Sequence, residues 1–236
     1  MKLSSLPVIK GLGDSALTAF FGDSIDPEIN KRVLSFFKYL KKLNAPFVYD
    51  LIPAYSSLTI CYDPCHVNEG IEPEIGAFRF MQLWTMAMLE AAPDPENTPH
   101  REMKIPVCYS SFYGKDLKEM SEKHSLTIEE IVALHTTSVY RVFMIGFLPG
   151  FPYMGTVNER IRFPRKSTPR SVVDAGSIGI AGLQTGIYPI NSPGGWQIIG
   201  RTPVKLFNKM NTEPVLFEPG DEVSFYSITE DEFANY

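Results

Sequence analysis

Residues able to do chemistry are sparse in this 236-residue chain, and they gather between His135 and Arg201. His135 lies in "LTIEEIVALHTTS", where Thr127 and Glu130 have the spacing of a capping box, so a helix starts there. Ile128, Ile131, Val132 and His135 then follow at i, i+3, i+4 and i+7, which puts His135 on the buried face of that helix. An imidazole titrates near neutral pH and can move protons, so His135 is the candidate catalytic residue. The competing reading is a core histidine whose two ring nitrogens are both hydrogen-bonded.

Beyond it runs "GFLPGFPYMG", Gly146 to Gly155, with three glycines, two prolines, three aromatic residues and no charge. Glycine and proline mark a loop, yet the side chains are those of a core. Phe147, Phe151 and Tyr153 form either the wall of a shared site or partner contact, or a plug at one end of a barrel. Further on, Gln184, Asn191, Gln197 and Arg201 are polar groups that could converge to orient a small polar ligand in a largely apolar pocket. Glycine permits positive φ and close approach of another backbone, so the glycines from Gly176 to Gly200 read either as tight corners or as a backbone-lined pocket for an anion. Gly194 and Gly195, between Pro193 and Trp196, are the best functional choice among them.

Several chemistries are excluded. No G-x-x-x-x-G-K-[ST] phosphate loop and no G-x-S-x-G elbow occur. "GLGD" at Gly11 is not a dinucleotide turn, because no strand is read before it and no helix directly after it. Cys61, Cys65 and His66 in "CYDPCH" lack a second ligand pair, and read as a strand-end and a loop cysteine rather than a metal site. Three cysteines argue against a disulfide framework. A net charge of −5 without a basic stripe speaks against nucleic acid. No apolar run has the roughly 18 residues of a membrane helix, and no signal-peptide h-region is present. A cytoplasmic protein with no membrane contact is expected.

The elements that must position these residues fall into two sets. "SALTAFFG", "PFVYDLIP" and "SSLTICYD" read as strands. A helix follows Asp26, capped by it and started by Pro27, with Ile29, Val33, Phe36, Phe37 and Leu40 on its apolar face. A second fits "EPEIGAFRFMQLWTMAMLEAA", with Pro73 near its start. That order suits an open antiparallel sheet with helices on one face. The proline-rich stretch at 93–102 is the expected linker between domains at 1–92 and 103–236. After it come "MKIPVCYSS" as a strand, helices near Asp116–His124 and Ile128–Thr136, and short strands in "SVYRVFMIG", "SIGIAG", "QTGIYPIN", "GWQIIG" and "DEVSFYSI". Short strands broken by glycine-rich turns predict a small barrel. The fold class is α+β: an N-terminal α/β sandwich-like domain, then a β-barrel domain.

"HTTSVYRVFMIGFLPGFPYMG", "PRKSTPRSVVDAGSIGIAGLQTGIYPINSPGGWQIIGRTP" and "FEPGDEVSF" resemble the KipI family, the B subunit of 5-oxoprolinase or, in older wording, allophanate hydrolase subunit 1. The likeness extends more weakly through "LGDSAL" and "IPAYSSLTICYDP" and so covers essentially the whole chain. The resemblance implies that the C-terminal barrel is cyclophilin-like. It implies a non-autonomous component of a bacterial 5-oxoprolinase that opens 5-oxo-L-proline to L-glutamate with ATP as co-substrate. Its partners would be the larger cyclophilin-like C component and the LamB/YcsF-like A component of that enzyme. The alternative role implied is inhibition of a sporulation sensor histidine kinase by binding its dimerisation and phosphotransfer region. Related sequence also forms part of urea carboxylase.

Overall fold

The computed structural model describes residues 7–70, 72, 74–95 and 101–236. The chain divides into two compact units, residues 1–99 and 100–236. Each mixes helices and strands around an apolar core of its own. Pro73 and the 96–100 part of the expected linker lie outside the described residues.

In the first unit, β1 (Val8–Gly11) and β2 (Ala16–Phe20) form a hairpin, with the Leu12 amide donating to the Ala16 carbonyl across "GLGD". The reading that no strand precedes this motif is thereby corrected. The element after it is an antiparallel strand, and a dinucleotide turn needs a helix there. Helix α1 (Pro27–Leu43) starts where Asp26 accepts the Glu28 and Ile29 amides, and it ends at Asn44 in a left-handed conformation. Strands β3 (Val48–Pro53) and β4 (Ser57–Tyr62) complete an antiparallel sheet in the order β1-β2-β4-β3. Alternate residues of β4, namely Leu58, Ile60 and Tyr62, are buried, as the two-residue period of a strand requires. "CYDPCH" proves to be a helix start. Asp63 caps α2 (Pro64–Glu69) by accepting the Cys65 and His66 amides, so Cys65 is helical where a loop was expected. Met81 and Leu89 of α3 (Ala77–Ala91) join Val33, Phe36 and Leu40 of α1 and the buried β4 residues in one cluster.

Among the described residues no three His, Cys, Asp or Glu side chains are grouped as metal ligands, and no helix is long and apolar enough to cross a membrane.

The second unit is a nearly closed, barrel-like sheet. Its elements are β5 (Glu102–Val107), α4 (Leu117–His124), α5 (Ile128–Thr136), β6 (Val139–Ile145), β7 (Pro152–Gly155), β8 (Arg170–Val173), β9 (Ser177–Ala181), β10 (Gln184–Ile187), β11 (Ser192–Gly194), β12 (Gln197–Arg201), β13 (Glu222–Ser227) and the short α6 (Glu230–Ala234). Seven strands run in the order β12-β9-β10-β7-β6-β13-β5, and β8 pairs with β11 apart. The two edges of the large sheet meet where Cys108 and Arg201 exchange backbone hydrogen bonds of 2.8 and 3.0 Å. Closure of this kind removes exposed strand edges. Gly200 sits at the seam because a Cβ there would stand 2.7 Å from Val107 Cγ1 and 3.0 Å from the Cys108 carbonyl oxygen. Strands β7, β8 and β11 were not read from the sequence; "PYMG" is the second arm of a hairpin, and only the part before it is a loop.

Candidate functional site

The capping box forms as its spacing predicts: the Thr127 side chain accepts the Glu130 amide, and Glu130 accepts the Thr127 amide. The helix it starts carries Ile131 and His135 into the barrel core. His135 is fully buried, with its ring stacked on Phe225 at a centroid distance of 4.6 Å. Nδ1 lies 2.8 Å from the Tyr109 hydroxyl and Nε2 lies 3.0 Å from the Thr185 hydroxyl. Thr185 donates its own proton to the Gly179 carbonyl, so it accepts from Nε2–H, and Tyr109 donates to Nδ1. Burial pushes the His135 pKa down to about 3, which keeps the ring neutral. His135 therefore ties α5 to β10 within the core. The expectation that it contributes to a pocket beside the Gly146–Gly155 loop is corrected: it is not among the residues that line the cleft formed there.

That cleft has a volume of about 590 Å³, within the range of small-molecule sites. Its floor is a cluster of rings. Phe151 lies 5.3 Å from Trp196 and 5.2 Å from Tyr188 between centroids, both nearly edge-on, and Tyr153 is 5.8 Å from Trp196. Edge-to-face contact is favourable because the positive ring edge meets the negative ring face. Phe151 is 1 % exposed and belongs to the satellite core with Tyr188, Trp196 and Ile198. Phe147, by contrast, is 65 % exposed at the mouth. All three aromatic residues of the loop line the cleft, Phe151 as a packed core ring and Phe147 as an exposed one.

The loop itself is tied down. The Leu148 amide donates to the Gly146 carbonyl, Phe151 to Leu148, and Gly146 to Phe151. The first of these closes a three-residue turn around Phe147, whose φ is +65°. That backbone conformation is rare and strained for a bulky residue.

One wall of the cleft is the β9–β10 corner with Ala181, Gly182 and Gln184. The strap 164–169 lines it as well, presenting Pro164, Arg165 and Pro169, with Pro193, Gly194 and Gly195. The strap is anchored at three points. Gln197 Nε2 donates to the Pro164 carbonyl at 3.0 Å, and the Lys166 amide donates to the Gly195 carbonyl at 2.7 Å. Lys166 Nζ and Arg170 Nη2 then reach one carboxylate oxygen of Asp116 at 2.8 and 2.6 Å. The other carboxylate oxygen accepts the Ile198 amide. Burial by itself would raise the Asp116 pKa, but hydrogen bonds from Arg170, Lys166 and Ile198 outweigh it and hold the group below the ordinary carboxylate value.

Of the residues singled out in the sequence, Phe147, Phe151, Tyr153, Gln184, Gly194, Gly195 and Trp196 line this cleft. Asn191 and Arg201 do not. Asn191 caps a turn by accepting the Ala175 amide, and Arg201 lies at the seam, donating to the Ala175 carbonyl and covering the Tyr113 ring. Gln197 is buried beneath the strap, outside the lining. Gly194 is a glycine for packing, since a Cβ there would fall within 2.4 Å of the Tyr188 hydroxyl. The same holds for Gly179 under Trp196 and Gly186 under Phe151. The strap residues Pro164, Arg165 and Pro169, and Tyr188, were missed. "FPRKSTPR" carried the signal as a proline-bounded basic segment, but contacts with Asp116, Gly195 and Gln197, distant in sequence, hold it against the cleft.

The family model "Carboxyltransferase domain, subdomain C and D" matches residues 7–217. The chain is 40 % identical over 229 residues to a protein named as the B subunit of 5-oxoprolinase from Bacillus subtilis (strain 168), covering 97 % of this chain and 95 % of that one. Among solved structures, TTHA0988 superposes with a TM-score of 0.77 at 35 % identity over 90 % of this chain, which spans 40 % of that longer one. The uncharacterized protein PH0987 from Pyrococcus horikoshii is 40 % identical, with a TM-score of 0.55, over 96 % of this chain and 100 % of its own. The match of motif, length and fold has one reading: the chain belongs to the carboxyltransferase subdomain C and D family, within it to the group of 5-oxoprolinase B-subunit proteins.

Proposed function

We propose that this chain is the B subunit of a multi-component, ATP-dependent 5-oxoprolinase that opens 5-oxo-L-proline to L-glutamate. The observation that carries the reading is the 40 % identity to a named B subunit over nearly the full length of both chains. The cleft supports it, being small, ring-walled and furnished with few polar groups, as a site for a compact heterocycle should be. In this reading the second unit is a cyclophilin-like barrel and the first an α+β layer domain.

The chain does not act alone. Among the described residues no Ser, Thr, Cys, Lys, Asp, Glu or His lines the cleft; its titrating hydroxyls are Tyr153 and Tyr188, which burial holds protonated, so it offers no ready nucleophile or general base near neutral pH. It binds and orients, and the reacting groups come from partners: the larger cyclophilin-like C component and the LamB/YcsF-like A component. ATP, as co-substrate, supplies the driving force for opening a stable lactam. A triphosphate needs clustered cations or open backbone N–H groups. The cleft lining supplies one cation, Arg165, rather than a cluster, and at Gly194 the Tyr188 ring fills the space. ATP is therefore assigned to the assembled complex rather than to this cleft.

The test is reconstitution. Purified chain with 5-oxoproline and ATP should release no glutamate, and addition of both partners should give ATP-dependent release. Release by the isolated chain, or none from the complete mixture, overturns the proposal.

A further inference from the structure

The cleft carries a single positive charge that the fold leaves uncompensated. Arg165 lines it, and no Asp or Glu does among the described residues. The other cations nearby are engaged: Arg162 with Glu159, and Lys166 and Arg170 with Asp116. Arg165 has no hydrogen-bond or ion-pair partner among the described residues. Arg165 is exposed to solvent at the edge of a ring-walled cleft, in a chain whose net charge is −5. Low-dielectric walls focus the field of such a charge.

The backbone on either side of Arg165 is held. The strap that bears this residue is fixed immediately on both sides, by Gln197 on Pro164 and by Gly195 and Asp116 on Lys166. Its charge is felt across the cleft: burial raises the pKa of the Tyr153 and Tyr188 hydroxyls, and Arg165 opposes the rise in both. A guanidinium matches a carboxylate with two parallel N–H···O bonds. A polyphosphate would need more than one cation, and the cleft lining holds no other.

We propose that Arg165 is the carboxylate-binding residue of this cleft, that the ligand is a small monocarboxylate carrying a flat amide-bearing ring, and that Asp116 is a positioning residue holding the strap that presents Arg165. The proposal deepens the reading of the chain as part of a 5-oxoprolinase and rests on it for the identity of the ring. The carboxylate seats on Arg165 at the mouth, and the ring lies against Trp196 and Tyr153.

The experiment is calorimetric titration of the full-length chain with 5-oxoproline and with 2-pyrrolidinone, which keeps the lactam ring and lacks the carboxylate. Wild type should bind 5-oxoproline at least about tenfold tighter than pyrrolidinone, the worth of one charge-assisted contact. Arg165→Met should abolish that preference and leave the thermal midpoint unchanged. Asp116→Asn should shrink the preference without changing pyrrolidinone binding, which a merely structural loss would not do. If Asp116→Asn does not fold, Lys166→Gln replaces it as the positioning variant. ATP should not compete with 5-oxoproline. Absence of binding by the wild-type chain at millimolar ligand, an undiminished preference in Arg165→Met, or competition by ATP overturns the proposal. The two readings fail separately. A reconstituted complex that turns over 5-oxoproline with an unchanged KM in Arg165→Met would sink the role of Arg165 and leave the function standing. A carboxylate preference that depends on Arg165, without turnover by the complete mixture, would do the reverse.

Discussion

Two places in the second unit bring polar groups among aromatic rings, and they do so in opposite ways. Around His135 every ring nitrogen has a partner, and the imidazole is sealed between α5, β10 and β13. Around Trp196 the rings are partly open, a strained residue stands at the mouth, and an arginine has no partner among the described residues. The first arrangement is what stability asks for, since a buried polar group without a partner costs about 1–3 kcal/mol. The second leaves binding capacity unused. Titrating residue type alone pointed to His135; satisfaction of hydrogen bonds points to the cleft.

The contrast can be broken most forcefully at His135. His135→Ala should destabilise the chain by about 3–5 kcal/mol, combining a cavity with the orphaned Tyr109 hydroxyl and the loss of the hydrogen bond to Thr185. Denaturant unfolding measures this. Activity of the reconstituted complex per folded molecule should be retained, and a loss well beyond the folded fraction would put His135 back into the chemistry.

Gly194→Ala comes next. Its new Cβ would meet the Tyr188 hydroxyl, and overpacking of this kind costs about 1–3 kcal/mol. Ligand affinity should fall with it, because Tyr188 and Gly194 both line the cleft. Gly195→Ala, whose Cβ would find its nearest neighbour at 3.6 Å, serves as the control and should be tolerated. Equal effects at the two glycines would refute the packing account.

The pH dependence separates the regions differently. Folding takes the His135 pKa from its ordinary 6.5 to about 3. Below pH 6.5 the unfolded chain takes up a proton that the folded chain refuses. The stability that the neutral ring provides is thus full above pH 6.5 and is lost as pH falls towards 3, at about 1.4 kcal/mol per pH unit. Asp116, whose pKa is lowered, adds to the loss in the same direction at more acid pH. His135→Gln should remove the slope between about pH 6.5 and 4, and an unchanged slope would assign it to other groups.

The smallest effect on stability belongs to Phe147→Gly. The variant relieves a φ of +65° and removes one exposed edge contact with Phe151 at 5.9 Å. Stability should change by less than about 1 kcal/mol, in the stabilising direction if strain dominates. Affinity for 5-oxoproline should nonetheless drop. Charge at Phe151 is a poor probe of this surface, because the ring is 1 % exposed and an aspartate there would break the core.

Local patterns carried the elements. The Asp26 cap and the Thr127–Glu130 box fixed helix starts because capping depends only on residues within one turn. The face of α5 followed from a 3.6-residue period, so burial of His135 was legible, and so was its competing role as a core residue. Seven cleft residues were legible because aromatic and glycine residues cluster along a short stretch of chain. Strands β7, β8 and β11 escaped, since proline and glycine imitate a loop when the partner strand is not known. The strap that lines the cleft escaped for a related reason. Arg165 is placed by Asp116, 49 positions earlier, and by Gly195, 30 positions later. No local propensity encodes such a contact. Arg201, which looked like a ligand in the sequence, closes the barrel instead: its backbone bridges to Cys108, just beyond β5, and its side chain donates to the Ala175 carbonyl. Residue types set which chemistries were available; long-range pairing settled which groups were used up in holding the fold and which were left for a ligand.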